Sequence, residues 1–129
     1  MQDKHLFEYA VIRVVPRVER EEFLNIGIVM YCVKQKFLQM KYVLDEERLH
    51  SFSPKLDIDE LKTHLSSFER ICTGNRAGGP IAQLDIASRF RWLTATRSTI
   101  LQTSKVHPGL CVSSAEETLD RLYEQLVIS

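Results

Sequence analysis

The chain has 129 residues, 44% of them hydrophobic and 26% charged, and its 17 Lys and Arg balance 17 Asp and Glu. Residues 1–129 therefore read as a single domain, long enough to bury a core without a disulfide or a structural metal. Zero net charge excludes a protein whose whole surface serves as a nucleic-acid or membrane ligand.

The opening segment MQDKHLFEY lacks the apolar core of a leader, and no run approaches the ~18 apolar residues of a membrane span. The expectation is a cytoplasmic protein with no membrane contact. Residues 6–15 carry apolar side chains on both faces, which predicts a central strand. Pro16 ends it, because proline cannot donate to a ladder. Residues 17–22 form a charged connector, and residues 23–33 a second apolar strand. Residues 36–44 read as a third strand, with Leu38, Met40, Tyr42 and Leu44 on one face. Lys34-Gln35 is short enough for a tight hairpin.

After Asp45 the period changes. Ile58, Leu61, Leu65, Phe68 and Cys72 step by three and four along one helical stripe, with Asp57 or Asp59 as cap and Gly74 as stop. GNRAGGP, residues 74–80, is a flexible loop. Ala82, Ile86, Phe90 and Leu93 predict a second helix, residues 98–103 a fourth strand, and His107-Pro108-Gly109 a turn. Ser114 and Glu117 form a capping box for a closing helix that buries Leu119, Leu122, Tyr123 and Leu126. The order βββααβα implies an α+β fold: an antiparallel sheet of about four strands with helices packed on one face. The third strand, partly apolar, is a candidate pairing edge, and the oligomeric state is open.

Three features could carry chemistry. Arg13 shares a strand face with Phe7, Tyr9, Val11 and Val15. Arginine stays charged in proteins, so a dry position demands a carboxylate, several carbonyls or an anionic ligand. Glu22 and Glu8 are candidate partners; the alternatives are a side chain that reaches water and an arginine held for phosphate or carboxylate. Asn25 and Gly27 share a face of the second strand, where asparagine usually bonds backbone and glycine marks a bulge or a close approach. Finally, no acidic residue lies between Asp85 and Glu116, a window that holds Arg89, Arg91, Arg97, Lys105 and His107. Ser98, Thr99, Thr103 and Ser104 add hydroxyls suited to phosphate oxygens, and Trp92 and Phe90 add surface on which a base could stack. The competing explanation is that this segment neutralises acidic residues 19–22 and 45–47.

Other signals are weaker. The cysteines Cys32, Cys72 and Cys111 are odd in number and form no C-x-x-C pair, which argues against a disulfide framework or a zinc ribbon. The histidines lack metal-ligand spacing, so neither a metal nor a cofactor is expected. The glycine loop lacks the lysine of a phosphate-binding loop. Cys111 near His107 has no orienting third group in the sequence.

Residues 7–31, FEYAVIRVVPRVEREEFLNIGIVMY, and residues 90–110, FRWLTATRSTILQTSKVHPGL, resemble the two main blocks of the family catalogued as domain of unknown function 3037. The matching positions are Arg13, Pro16, Glu22, Asn25, Gly27, Phe90, Trp92, Leu93, Arg97, Ser98 and the His107 turn. At Arg20-Glu21 the chain departs, since the family carries glycine before the glutamate; the connector is expected to turn less tightly. The resemblance implies a small bacterial protein of unassigned function, with a kinase-type protein encoded beside it as a hint of a partner. It brings no catalytic residue, cofactor or reaction.

The leading expectation is a non-catalytic accessory or protein-interaction module. The alternative is a binder of phosphate-bearing ligands, nucleotide or nucleic acid. Arg13, Arg91, Arg97, Ser98 and His107 would line its anion pocket, with Glu22 and Asn25 beside them and Trp92 as a stacking surface. His107 would act as acid or base if phosphodiesters were hydrolysed.

Overall fold

β1 (His5–Val14) sets the frame, and the computed structural model describes residues 4–128 around it. Successive side chains of a strand point to opposite faces. Ala10, Ile12 and Val14 accordingly enter one core, and Phe7 and Val11 the other. A strand dry on both faces must lie inside the sheet, and β1 does. On one side it pairs antiparallel with β2 (Leu24–Cys32), which pairs in turn with β3 (Phe37–Tyr42). The other side of β1 takes two short strands end to end, β4 (Leu101–Thr103) and β5 (His107–Cys111).

Ser104 bridges the junction between β4 and β5. Its N–H donates to Val11 O at 2.8 Å, and the Val11 N–H donates to Ser104 Oγ at 2.8 Å. A buried hydroxyl thus takes the ladder position that a backbone carbonyl would fill. The sequence suggested a turn at His107-Pro108-Gly109, but these residues are strand. Pro108 is tolerated on an edge strand, and Gly109 lies over the Phe7 ring, where a Cβ would come within 2.4 Å of Cζ.

β2 carries a bulge. Arg13 faces Asn25 and Ile12 faces Gly27, so Ile26 is the extra residue. The bulge changes which side chains share a face. Ile26 joins Val29 and Tyr31 in one core, while Ile28, Met30 and Cys32 enter the other. Asn25 and Gly27, expected on one face, are split by it.

The helices cover both faces, not one. α1 (Glu46–Phe52), α2 (Ile58–Thr73), α3 (Gly79–Ala82) and α4 (Ile86–Leu93) pack with Ala10, Ile12 and Val14. α5 (Ala115–Tyr123) lies on the opposite face against Phe7, Val11 and Ile28, and runs on as a π-turn over Glu124–Ile128. The reason lies in β1 and β2, whose second apolar row needs its own cover. The α+β class and the antiparallel sheet are as the sequence implied. Asp45, Asp57, Asp85 and Ser114 cap their helices by accepting an N–H three residues on. The Asp85 cap starts α4 at Ile86, so Ala82 belongs to the separate short α3. Helix α1 went unforeseen because Leu49 is its single buried residue. Among the described residues no helix is long and apolar enough to cross a membrane.

Candidate functional site

The sequence placed Arg13 where its charge needs an answer, and the fold withholds one. Its guanidinium carbon lies over the Phe23 ring, 3.9 Å from the centroid. The Nε is buried with no hydrogen-bond partner, while the half-buried side chain keeps its terminal nitrogens accessible. Burial without a counter-charge lowers its pKa from the ordinary arginine value. Neither expected carboxylate reaches it. Glu22 pairs with Arg20 in the exposed connector, and Glu8 takes a two-pronged bond from Arg91 at 3.0 and 3.4 Å.

Asn25, opposite Arg13 in the ladder, donates from Nδ2 to Leu126 O in the π-turn at 3.4 Å. Its Oδ1 is buried and unpartnered. Gln102 of β4 is the other neighbour of Arg13 in register. Arg13 opens onto a cavity of about 290 Å³ that Val15, Val18, Glu21, Phe23, Gln102 and Thr103 complete. Of these wall residues, the sequence reading had marked only Thr103 for chemistry.

The remaining candidates lie elsewhere. Arg97 and Trp92 are on the α1–α4 face. Arg97 donates to Leu93 O at 3.0 Å and to Trp92 O at 2.6 Å, and its guanidinium lies 4.6 Å from the Trp92 ring and 4.9 Å from that of Phe68. It closes the C-terminal end of α4, where unpaired carbonyls gather negative charge. Arg89 does the same for α2, donating to Ile71 O and Cys72 O. Ser98 is exposed beyond α4. His107 stacks on Tyr9, ring centroids 5.4 Å apart, on the Arg13 face. Tyr9 precedes Arg13 by four residues, about 13 Å of strand. The structure therefore joins Arg13 to Asn25 and leaves Arg91, Trp92, Arg97, Ser98 and His107 at separate places.

A larger groove borders β3. It measures about 640 Å³ and lies between that strand's outer edge and α2. Leu38, Met40, Cys72 and Ile86 supply apolar wall, with Lys36, Glu69 and Arg89 around them. The Tyr42 hydroxyl donates to Glu69, and Lys36 has no ion pair among the described residues. Burial pushes the Cys72 thiol up to about 12, so it is a packing group, not a nucleophile. No group of three or more His, Cys, Asp or Glu among the described residues could hold a metal ion.

A family model described as protein of unknown function (DUF3037) matches residues 9–127. The chain belongs to that family. No curated protein and no solved structure matches it. The one departure from the DUF3037 pattern noted in the sequence, at Arg20-Glu21, lies in the connector between β1 and β2. Glu21, in that connector, sits in the left-handed region at φ 56, a conformation that glycine adopts without the strain an L-residue bears.

Proposed function

We propose that this chain is a non-catalytic interaction module that accepts an extended segment of a partner protein alongside β3. One observation carries the reading: a groove of about 640 Å³ follows the outer edge of the terminal strand of the sheet. A terminal strand offers unpaired backbone groups, and an added strand gains main-chain hydrogen bonds there while its alternate side chains enter a neighbouring groove. Val43 donates inward to Ile26 O at 2.9 Å. By the alternation of an antiparallel ladder, the N–H groups of Leu38, Met40 and Tyr42 then point outward. Leu38, Met40, Cys72 and Ile86 would receive apolar side chains. Lys36, which makes no ion pair among the described residues, favours a segment that also carries a carboxylate, while Glu69 is held by Tyr42 and Arg89 by backbone carbonyls.

A displayed library of short random peptides, selected on the purified protein, tests this. The expected survivors alternate apolar residues and carry an acidic group. Their binding should slow hydrogen exchange at Leu38, Met40 and Tyr42, and Met40→Arg should abolish binding while the unfolding transition is kept. No selection above background, or survivors indifferent to Met40→Arg, would remove the reading.

The multi-residue anion pocket anticipated as the alternative does not gain a supporting observation, because its members occupy separate places. Arg13 alone retains an unanswered charge.

A further inference from the structure

We infer that the Arg13 cavity is a binding site for a small carboxylate with an apolar body. The chemistry of the walls selects that class. The guanidinium carbon lies over the Phe23 ring, and the buried Nε has no hydrogen-bond partner. A planar guanidinium held by stacking presents its in-plane N–H groups as a fork, the geometry that matches two carboxylate oxygens. Val15, Val18 and Phe23 provide apolar wall for the rest of the ligand, and Gln102, the β4 neighbour of Arg13 in register, lines the cavity beside it while its amide donates to Thr99 O at 2.9 Å. The cavity, about 290 Å³, lies at the lower limit of small-ligand sites, roughly 300–1,000 Å³.

Charge then decides between oxyanions. Arg13 is the cavity's single cation, and Glu21 is on its wall. One positive charge balances one carboxylate. A phosphate dianion would be left under-neutralised and repelled by Glu21. The two residues make no ion pair with each other. Glu21 lines the cavity from the connector. Glu21 is thus placed to meet an ammonium group if the carboxylate belongs to an amino acid. The ligand's source is therefore either a free amino acid or a simple aliphatic acid, and the carboxylate-to-Arg13 contact is common to both.

The experiment follows the Nε–H resonance of Arg13 and, in every variant, the backbone amide resonances of Gln102 and Phe23 by NMR during titration with valine, with 3-methylbutanoate (the same body without the ammonium) and with inorganic phosphate, at ionic strength fixed with chloride. The expected result is a saturable shift with a carboxylate and none with phosphate. Arg13→Lys, which keeps the charge but loses the fork, should weaken binding by about tenfold or more. Glu21→Gln separates the sources. A weakening confined to valine identifies an amino-acid site, and an unchanged affinity for both carboxylates identifies a simple-acid site. The inference is overturned if no carboxylate gives a saturable shift, if phosphate alone does, or if Arg13→Lys binds as well as the wild type. None of these readouts involves β3, so failure here leaves the peptide groove untouched.

Discussion

Replacing Arg13 by methionine should stabilise the protein. The side chain now contributes a stacking contact with Phe23, about 0.5–1 kcal/mol for a cation over an aromatic ring at a partly exposed site. Against this stands a buried Nε donor with no acceptor, a defect that costs about 1–3 kcal/mol. Methionine keeps an unbranched stem of similar reach, removes the donor and the charge, and recovers part of the ring contact through sulfur, about 0.3–1.5 kcal/mol. The balance favours methionine by about 1 kcal/mol, or roughly 3–5 °C in midpoint for a chain of this size. Urea unfolding measures it as a higher midpoint at unchanged slope. A loss of about 1 kcal/mol or more would refute the reasoning. It would mean that the guanidinium is answered inside the protein, most simply by Asn25 Oδ1 across the ladder, and that Arg13 is a structural residue with no call on a ligand.

Three further outcomes are expected. Glu21→Gly relieves a left-handed conformation that costs an L-residue about 1–2 kcal/mol, offset by the entropy glycine adds to the unfolded chain, so a net gain of about 0.5–1 kcal/mol should appear in the same urea assay. Ser104→Ala leaves the buried Val11 N–H without its acceptor and should cost about 1–3 kcal/mol by thermal or urea unfolding. Tyr42, partly buried and donating to Glu69, is pushed up to about 12. Its neutral form is favoured in the fold, so that stabilisation is complete below the unfolded value near ~10 and is lost as pH rises towards the folded one. Urea midpoints taken across that alkaline window should fall more steeply for the wild type than for Tyr42→Phe.

How much of this was legible beforehand depended on whether a signal was local. The central strand, the Asp57 and Ser114 caps and the helix stripe from Ile58 to Cys72 all announce themselves by spacing within one element, and the fold keeps them. The bulge at Ile26 does not. Its cause is a register mismatch between two strands, and a sequence read strand by strand puts Asn25 and Gly27 on one face. The same limit hid the second helical layer, because a strand apolar on both sides does not say which helix covers which side. For the site, Arg13 was visible as a charge out of place. Its environment was not, because Phe23, Glu21 and Gln102 reach it from the connector and from a strand on the far side of β1. The β3 groove was half visible, as an edge without its α2 wall.

The acid-free stretch between Asp85 and Glu116 was the other asymmetry in the sequence, and its explanation is neither of the two first considered. Of its arginines, only Arg91 finds a carboxylate, Glu8. Arg89 and Arg97 find helix ends: each donates to backbone carbonyls that a C-terminus leaves unpaired, of α2 and α4 respectively. Carbonyl dipoles need no acidic side chain beside them, so a basic segment can exist in a chain of zero net charge without a facing acidic one. Arg97 tests this best, since it was also a candidate for phosphate. Its two bonds to carbonyls, its position against both Phe68 and Trp92, and its lowered pKa from burial describe a structural clamp. Charged hydrogen bonds contribute about 1.5–3 kcal/mol each and do not add fully within one network, so Arg97→Ala should lose about 2–4 kcal/mol. Arg97→Lys should recover little, because an ammonium lacks the planar fork that bonds two carbonyls while lying against the rings. If instead Arg97→Ala unfolds within about 0.5 kcal/mol of the wild type, the ordinary range for surface changes, the clamp fails. The arginine would then be free for a ligand after all.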